Sequence, residues 1–201
     1  PSPMSSSDSG KLSQSREQNA QPLRSREMEF DQILQGAKNH DRGAWQMLVK
    51  EYSHRIYSYS LNFSGSRQFA EEATQEAFFR IFKSIDRIEA NPKIFELYLY
   101  KTAKNICIDN YRKHKGEHIV EEQDFMIPKW DPDYATKELV WRALNSLPQE
   151  ERNLMIMREI EGLSYEEIAT MENIPLGTLK SRLNRIKIKL AEILQKLEKR
   201  G

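Results

Sequence analysis

From Met28 to Lys115 apolar side chains recur three and four residues apart, and no stretch alternates apolar with polar as a half-buried strand does. This regularity confines the 201-residue chain to an all-α fold. Phe30, Ile33, Leu34 and Ala37 open an amphipathic helix, and Trp45, Leu48, Val49, Tyr52 and Ile56 continue at helical spacing. Ser66 precedes a third run, in which Phe69, Ala73, Ala77, Phe78, Ile81, Phe82 and Ile85 form a wide apolar face. Glu89-Ala90-Asn91-Pro92 breaks the pattern, because proline removes a backbone donor and restricts the residue before it. A fourth helix follows, with Phe95, Leu99, Ala103, Ile106 and Tyr111 on one side.

Two further stretches set the domain limits. Residues 1–27 are rich in Ser, Gln and Arg with almost no large apolar side chains, which predicts disorder. Residues 116–136 carry Pro128, Pro132 and a run of acids and read as an extended acidic linker. Beyond it come short helices over 138–147, 150–160, 164–171 and 176–197, the first ending before Pro148. The expected organisation is two small helical domains, 28–115 and 137–201, and the second lies within the size range that folds alone.

Composition narrows the function. No window approaches the ~18 apolar residues needed to cross a bilayer, and the polar N-terminus lacks the apolar core of a secretory signal. Cys107 is the only cysteine, which excludes an internal disulfide and a cysteine-based zinc cluster. Between Ile106 and Ile108 in a helical pattern, it reads as a buried, inert thiol. These features suit a reducing cytoplasm.

The formal net charge of +1 conceals strong sorting. Residues 98–115 hold five Lys/Arg against one Asp, and 174–201 hold eight against two Glu. Between them, 116–136 carry six acids against Lys129. Two basic segments flanking an acidic one is the organisation that any function has to explain.

The most specific local signal is GLSYEEIATMENIPLGTLKSR, residues 162–182. Ser164 is placed to cap a helix, with Glu167 completing a capping box. Ile168 and Ala169 supply its buried face. Asn173 sits at the turn, where asparagine tolerates a left-handed backbone. Pro175 starts or just precedes the next helix, where its missing N–H costs little. Leu179, Leu183, Ile186, Leu190 and Ile193 make the inner stripe of that helix, and Lys180, Ser181, Arg182, Asn184 and Arg185 its outer N-terminal half. A major-groove reader needs this layout, with recognition side chains near the helix start and phosphate-binding cations beside them. The plainer reading, a solvated basic face, does not account for the two-helix turn preceding it.

In the first basic segment Lys101, Lys104, Asn105, Asn110, Arg112, Lys113 and Lys115 mix with Tyr98, Tyr100 and Tyr111. Cations follow phosphates and aromatics stack on exposed bases, although core tyrosines under a solvated basic face give the same pattern.

The order of motifs resembles the extracytoplasmic-function sigma factors of bacterial RNA polymerase. AEEATQEAFFR (70–80) is similar to the helix that docks on the polymerase clamp, and FELYLYKTAKNICIDNYR (95–112) to the promoter-melting segment. ALNSLP (143–148), Arg158 and the 162–182 stretch resemble the fourth sigma domain. The resemblance implies a factor that binds core RNA polymerase, recognises two promoter elements and melts promoter DNA. It implies minus-ten contacts from the loop Ile88, Glu89, Ala90, Asn91, Pro92 and Lys93, which would line the pocket for a flipped base. It extends them to Tyr98, Lys101, Lys104, Asn105, Arg112 and Lys113. It places Arg158, Thr178, Lys180, Ser181, Arg182, Asn184 and Arg185 on the minus-thirty-five element, and Glu72, Gln75, Glu76, Phe79 and Arg80 on polymerase. It also implies an anti-sigma partner, no cofactor and no membrane insertion. Two departures stand out: Tyr98 occupies a position that is usually Trp, and Glu172-Asn173 replaces the usual Leu-Gly before Ile-Pro.

Two other classes compete. A two-domain helix-turn-helix regulator acting without polymerase leaves the 70–80 segment and the acidic linker without a reason. A DNA-processing enzyme needs a nucleophile or clustered metal-binding acids. The four histidines are scattered, and the His114/His118 pair straddles Gly116 at a helix end.

Overall fold

The computed structural model describes residues 28–113 and 134–199. Every regular element among them is helical, as the periodicity predicts. The expected disordered N-terminal segment, most of the linker and the His114/His118 pair lie outside the described residues.

The first two apolar runs are separate helices. α1 (28–38) stops at a turn in which His40 has φ 62°, and α2 (Arg42–Ser64) starts again under an Asp41 cap. Asp41 Oδ1 accepts the Ala44 backbone N–H at 2.6 Å, satisfying one of the donors a helix start leaves open. Gly36 permits the close approach at this corner, since a Cβ there would lie 2.8 Å from that of Ala44. α3 (Arg67–Ser84) buries Ala70, Ala73, Ala77, Phe78 and Ile81 and runs into a 3₁₀ turn (Ile85–Arg87). Phe82, expected on this apolar face, is 38% exposed, and Phe79 is 52% exposed. α4 (Pro92–Lys113) begins where Asn-Pro predicts a break. Asn91 Oδ1 accepts the backbone N–H groups of Lys93 and Ile94 at 2.8 and 3.1 Å, and Pro92 fills the first helical position.

In the C-terminal part, α5 (Tyr134–Asn145) starts four residues before the expected helix. α6 (Gln149–Met155) continues into a π-helical stretch (Ile156–Ile160), where periodicity alone predicts one regular helix. α7 (Tyr165–Glu172) and the long α8 (Leu176–Glu198) complete the chain. α8 packs against α5, α6 and α7. Its buried Leu179, Leu183 and Ile186 belong to a core with Trp141, Leu144, Leu147 and Leu154.

The described residues form two compact units, 28–51 with 84–96, and 52–83 with 97–199. In the first, Phe30 meets Phe95 edge-on at 5.6 Å, and Leu34, Leu48, Ile85 and Ile88 are buried. Lys38 Nζ donates to the Ile88 carbonyl at 2.8 Å, which fixes the loop ahead of α4. In the second, Ile56, Tyr59, Leu99, Tyr100, Ala103, Ile156, Met157 and Ile168 are buried. Cys107 is buried there, and burial pushes its thiol up to about 12, so it is the inert group its setting predicts.

Candidate nucleic-acid interface

The helix-turn-helix forms by the local rules its sequence obeys. Ser164 Oγ accepts the Glu167 backbone N–H at 3.2 Å, and Glu167 Oε2 accepts that of Ser164 at 2.6 Å, closing the capping box. Asn173 ends α7 in the left-handed region with φ 54°, and Pro175 precedes the first turn of α8. With Leu179, Leu183 and Ile186 facing the core, α8 turns Lys180, Ser181, Arg182, Asn184 and Arg185 outward, all exposed. Thr178 is half-buried, and its carbonyl accepts the Ser181 hydroxyl at 2.9 Å. Five residues with hydrogen-bonding or charged heads thus lie together over the first half of α8.

Arg158 is placed differently. The π-helical turn leaves it half-buried, with Nη1 donating to the Leu163 carbonyl at 2.9 Å and its guanidinium 4.7 Å from the Tyr165 ring centroid. Lys180 Nζ lies 5.9 Å from the same centroid. Tyr165 therefore has two cations near its ring, an arrangement worth about 0.5–1 kcal/mol per cation at exposed sites. Sequence reasoning passed over Tyr165. Its spacing of seven from Arg158 matches two helical turns, but the link depends on the π turn and Gly162, whose φ of 72° lets the chain reverse.

Of the candidates ahead of α4, Glu89 and Lys93 are exposed, while Ala90, Asn91 and Pro92 are half-buried. Ile88 is a core residue at 2% exposure, with its carbonyl taken by Lys38 and its N–H by Ile85, and the Asn91 oxygen is committed to capping α4. Along α4, Tyr98 is 48% exposed and Lys101, Asn105, Arg112 and Lys113 are exposed as well. Tyr100 is buried and stacks edge-on to Tyr59 at 5.8 Å, so among these tyrosines core and surface roles are divided. Lys104 is neither: its ammonium pairs with Glu172 at 2.6 Å, with both side chains largely covered.

On α3 the polymerase candidates Glu72, Gln75, Phe79 and Arg80 are exposed and Glu76 is half-buried. Glu76 pairs with Arg80 at 2.6 Å, and Lys83 sits 4.1 Å over the Phe79 ring. A shallow groove runs beside them, floored by Ala73 and Ile106.

A polar seam unforeseen in the sequence lies in the same unit. Glu161, just past the π turn, accepts hydrogen bonds from Ser58 (3.2 Å), Asn62 (3.1 Å) and Tyr100 (3.2 Å). Beside it the Tyr59 hydroxyl donates to Asn153 at 2.6 Å. Burial raises the Glu161 carboxyl above the usual carboxylate range, partly offset by those donors and by His54.

Comparison with known proteins fits this arrangement. A family model described as Sigma-70 region 2 matches residues 48–117, and one described as Sigma-70, region 4 matches residues 137–190. The chain belongs to the sigma-70 family, in its extracytoplasmic-function branch. It resembles the ECF RNA polymerase sigma factor SigE of Mycolicibacterium smegmatis, with 34% identity over 163 residues, 76% of this chain and 62% of that protein. It is 28% identical to the RNA polymerase sigma-H factor of Pseudomonas aeruginosa over 83% of this chain and 94% of that one. SigW of Bacillus subtilis is 29% identical over 79% and 93%. Among solved structures, CnrH in complex with the cytosolic domain of CnrY superposes with TM-score 0.63 at 18% identity, covering 83% of this chain and 97% of that one. RpoE from Bartonella quintana in complex with the anti-sigma factor NepR gives 0.58 at 20%, covering 75% and 96%. Both share the sigma fold. Sigma-70 factors are initiation factors rather than enzymes, which excludes the DNA-processing alternative. No helix among the described residues is long and apolar enough to cross a membrane.

Proposed function

We propose that this sigma-70 protein directs core RNA polymerase to promoters by reading two DNA elements, one with each of its matched regions. The observation that carries the reading is the exposed row Lys180, Ser181, Arg182, Asn184 and Arg185 on α8, behind a capped α7 and a left-handed turn. That row enters the major groove of the minus-thirty-five element, with Thr178 at its edge. Arg158 supports it from the flank, braced on Tyr165.

Region 2 takes the minus-ten element. Tyr98 offers an exposed ring for a base, and Lys101, Asn105, Arg112 and Lys113 follow the strand, with Lys104 joining once its ion pair opens. The loop Ile88–Lys93 receives an extruded base through Glu89, Ala90, Asn91, Pro92 and Lys93, with Ile88 anchoring it in the core. Unstacking costs a few kcal/mol, which the contacts around the base must supply. On α3, Glu72, Gln75, Glu76, Phe79 and Arg80 bind polymerase, with Phe79 the apolar anchor. An anti-sigma factor is the second protein partner, and the chain works in the cytoplasm without a cofactor. The proposed domain limits are residues 28–115 for region 2, 116–136 for an acidic linker and 137–201 for region 4, with residues 1–27 ahead of them.

Run-off transcription with core polymerase and a randomised promoter library tests this. The expected result is transcripts that need the protein and share two upstream motifs. Tight binding of the chain alone to duplex DNA, with no transcripts, would instead make it a polymerase-independent regulator.

A further inference from the structure

We propose that Lys38, on α1, is a positioning residue for the loop Ile88–Lys93, holding its backbone in the shape that receives an extruded base. The inference rests on the reading of that loop given above. It is carried by contacts within one compact unit, between segments 50 residues apart. Lys38 is aimed by the end of its own helix. Leu34 and Ala37 are fully buried and fix the rotation of α1, which leaves Lys38, one turn beyond Leu34, at the rim of the apolar face. Backbone bonds from Asn39 to Gln35, from His40 to Ala37 and from Asp41 to Gly36 close the helix end around it. A lysine head ordinarily stays in water, whereas this side chain is half-buried and its ammonium donates to the Ile88 carbonyl at 2.8 Å.

The loop is thereby fixed at two points. At the first, the Ile88 side chain lies in the core, its N–H donates to the Ile85 carbonyl at 3.0 Å, and its carbonyl is held by Lys38. At the second, the Asn91 N–H donates to the Glu89 carbonyl at 2.8 Å while the Asn91 side chain caps α4. Glu89 and Ala90 span the gap between these points. The Lys38 bond differs from the others in coming from a distant segment, and a charged donor makes the stronger kind of hydrogen bond. A base leaving the stack has an unstacking cost, and a loop that must also be ordered on its arrival adds chain entropy to that cost. A loop already ordered by Lys38 avoids the second part, which places the effect in base capture and not in contacts with duplex DNA.

The test uses holoenzyme assembled from core polymerase and the full-length factor, with fork-junction DNA built from a promoter that the wild type selects. Each non-template position of its minus-ten element is made abasic in turn, and the position at which wild-type affinity drops most marks the captured base. Lys38→Met keeps the aliphatic stem and removes the donor. It should weaken binding to the intact fork about fivefold, and leave binding to the fork abasic at that position within a factor of about two of wild type. Equal weakening on both forks, or on neither, overturns the positioning role, because a contact that only steadied the fold would not distinguish them. If no abasic position weakens the wild type, base capture by the loop fails and the positioning role falls with it. Hydrogen exchange of the free protein judges the pin separately. In Lys38→Met, peptides spanning residues 85–94 should exchange at least about threefold faster than in wild type, with α8 peptides unchanged. Unchanged exchange over 85–94 overturns the pin whatever the DNA results.

Discussion

Glu161 is a carboxylate held away from water by neutral donors, and its titration has a definite sign. Its folded-state carboxyl lies above its ordinary value because burial outweighs the hydrogen bonds it receives. The folded protein therefore binds a proton more readily than the unfolded chain there, and this group's contribution to stability falls as pH rises through that window. Glu161→Gln should flatten this component: urea titrations from pH 7 to pH 4.5 should show the wild type gaining stability relative to the variant as pH drops. A difference that is constant with pH would contradict the burial argument. Glu161→Ala removes the acceptor for three donors, and at pH 7 should cost about 1–3 kcal/mol. Cys107 makes a sharper case. With its thiol pushed up to about 12, it should resist an aromatic disulfide reagent at pH 8 and react fully in urea. Its inertness was legible from two flanking isoleucines. Glu161 was not, because nothing in a local window shows that an acid at position 161 will meet side chains near positions 60 and 100.

Elements whose limits are set by nearby chemistry could be read from the sequence, and those set by distant contacts could not. The α7 cap, the left-handed Asn173 and the proline before α8 all follow from residues within four positions of one another. Ser164→Ala should accordingly destabilise the protein by about 1 kcal/mol in chemical denaturation. Asn173→Val should cost more than Asn173→Gly, because a branched side chain resists positive φ. The break between α1 and α2 falls in the gap between the first two apolar runs, where Asp41 caps the second. The π turn could not be read in this way. It inserts its extra residue inside an apolar run, and its consequence is the re-aiming of Arg158 and Glu161. Phe82 looks like core by periodicity, and its 38% exposure puts it at the surface instead.

For the molecule as a whole, the order of motifs carried the function further than any single site. An all-α chain with two basic segments is common physics, whereas a clamp-type helix, a basic aromatic helix and a helix-turn-helix in that sequence identify a sigma-70 factor. The polar seam adds what motif order does not contain, namely the hydrogen bonds that hold Glu161 and the ion pair between Lys104 and Glu172. The most direct test of the promoter-reading account is run-off transcription from a promoter selected by the wild type, using Lys180→Ala and Arg185→Ala together. The account predicts that transcription falls roughly 10- to 100-fold and that the remainder no longer responds to mutation of the upstream element, while minus-ten mutations keep their effect. Unchanged transcription with an unchanged response to the upstream element would contradict it.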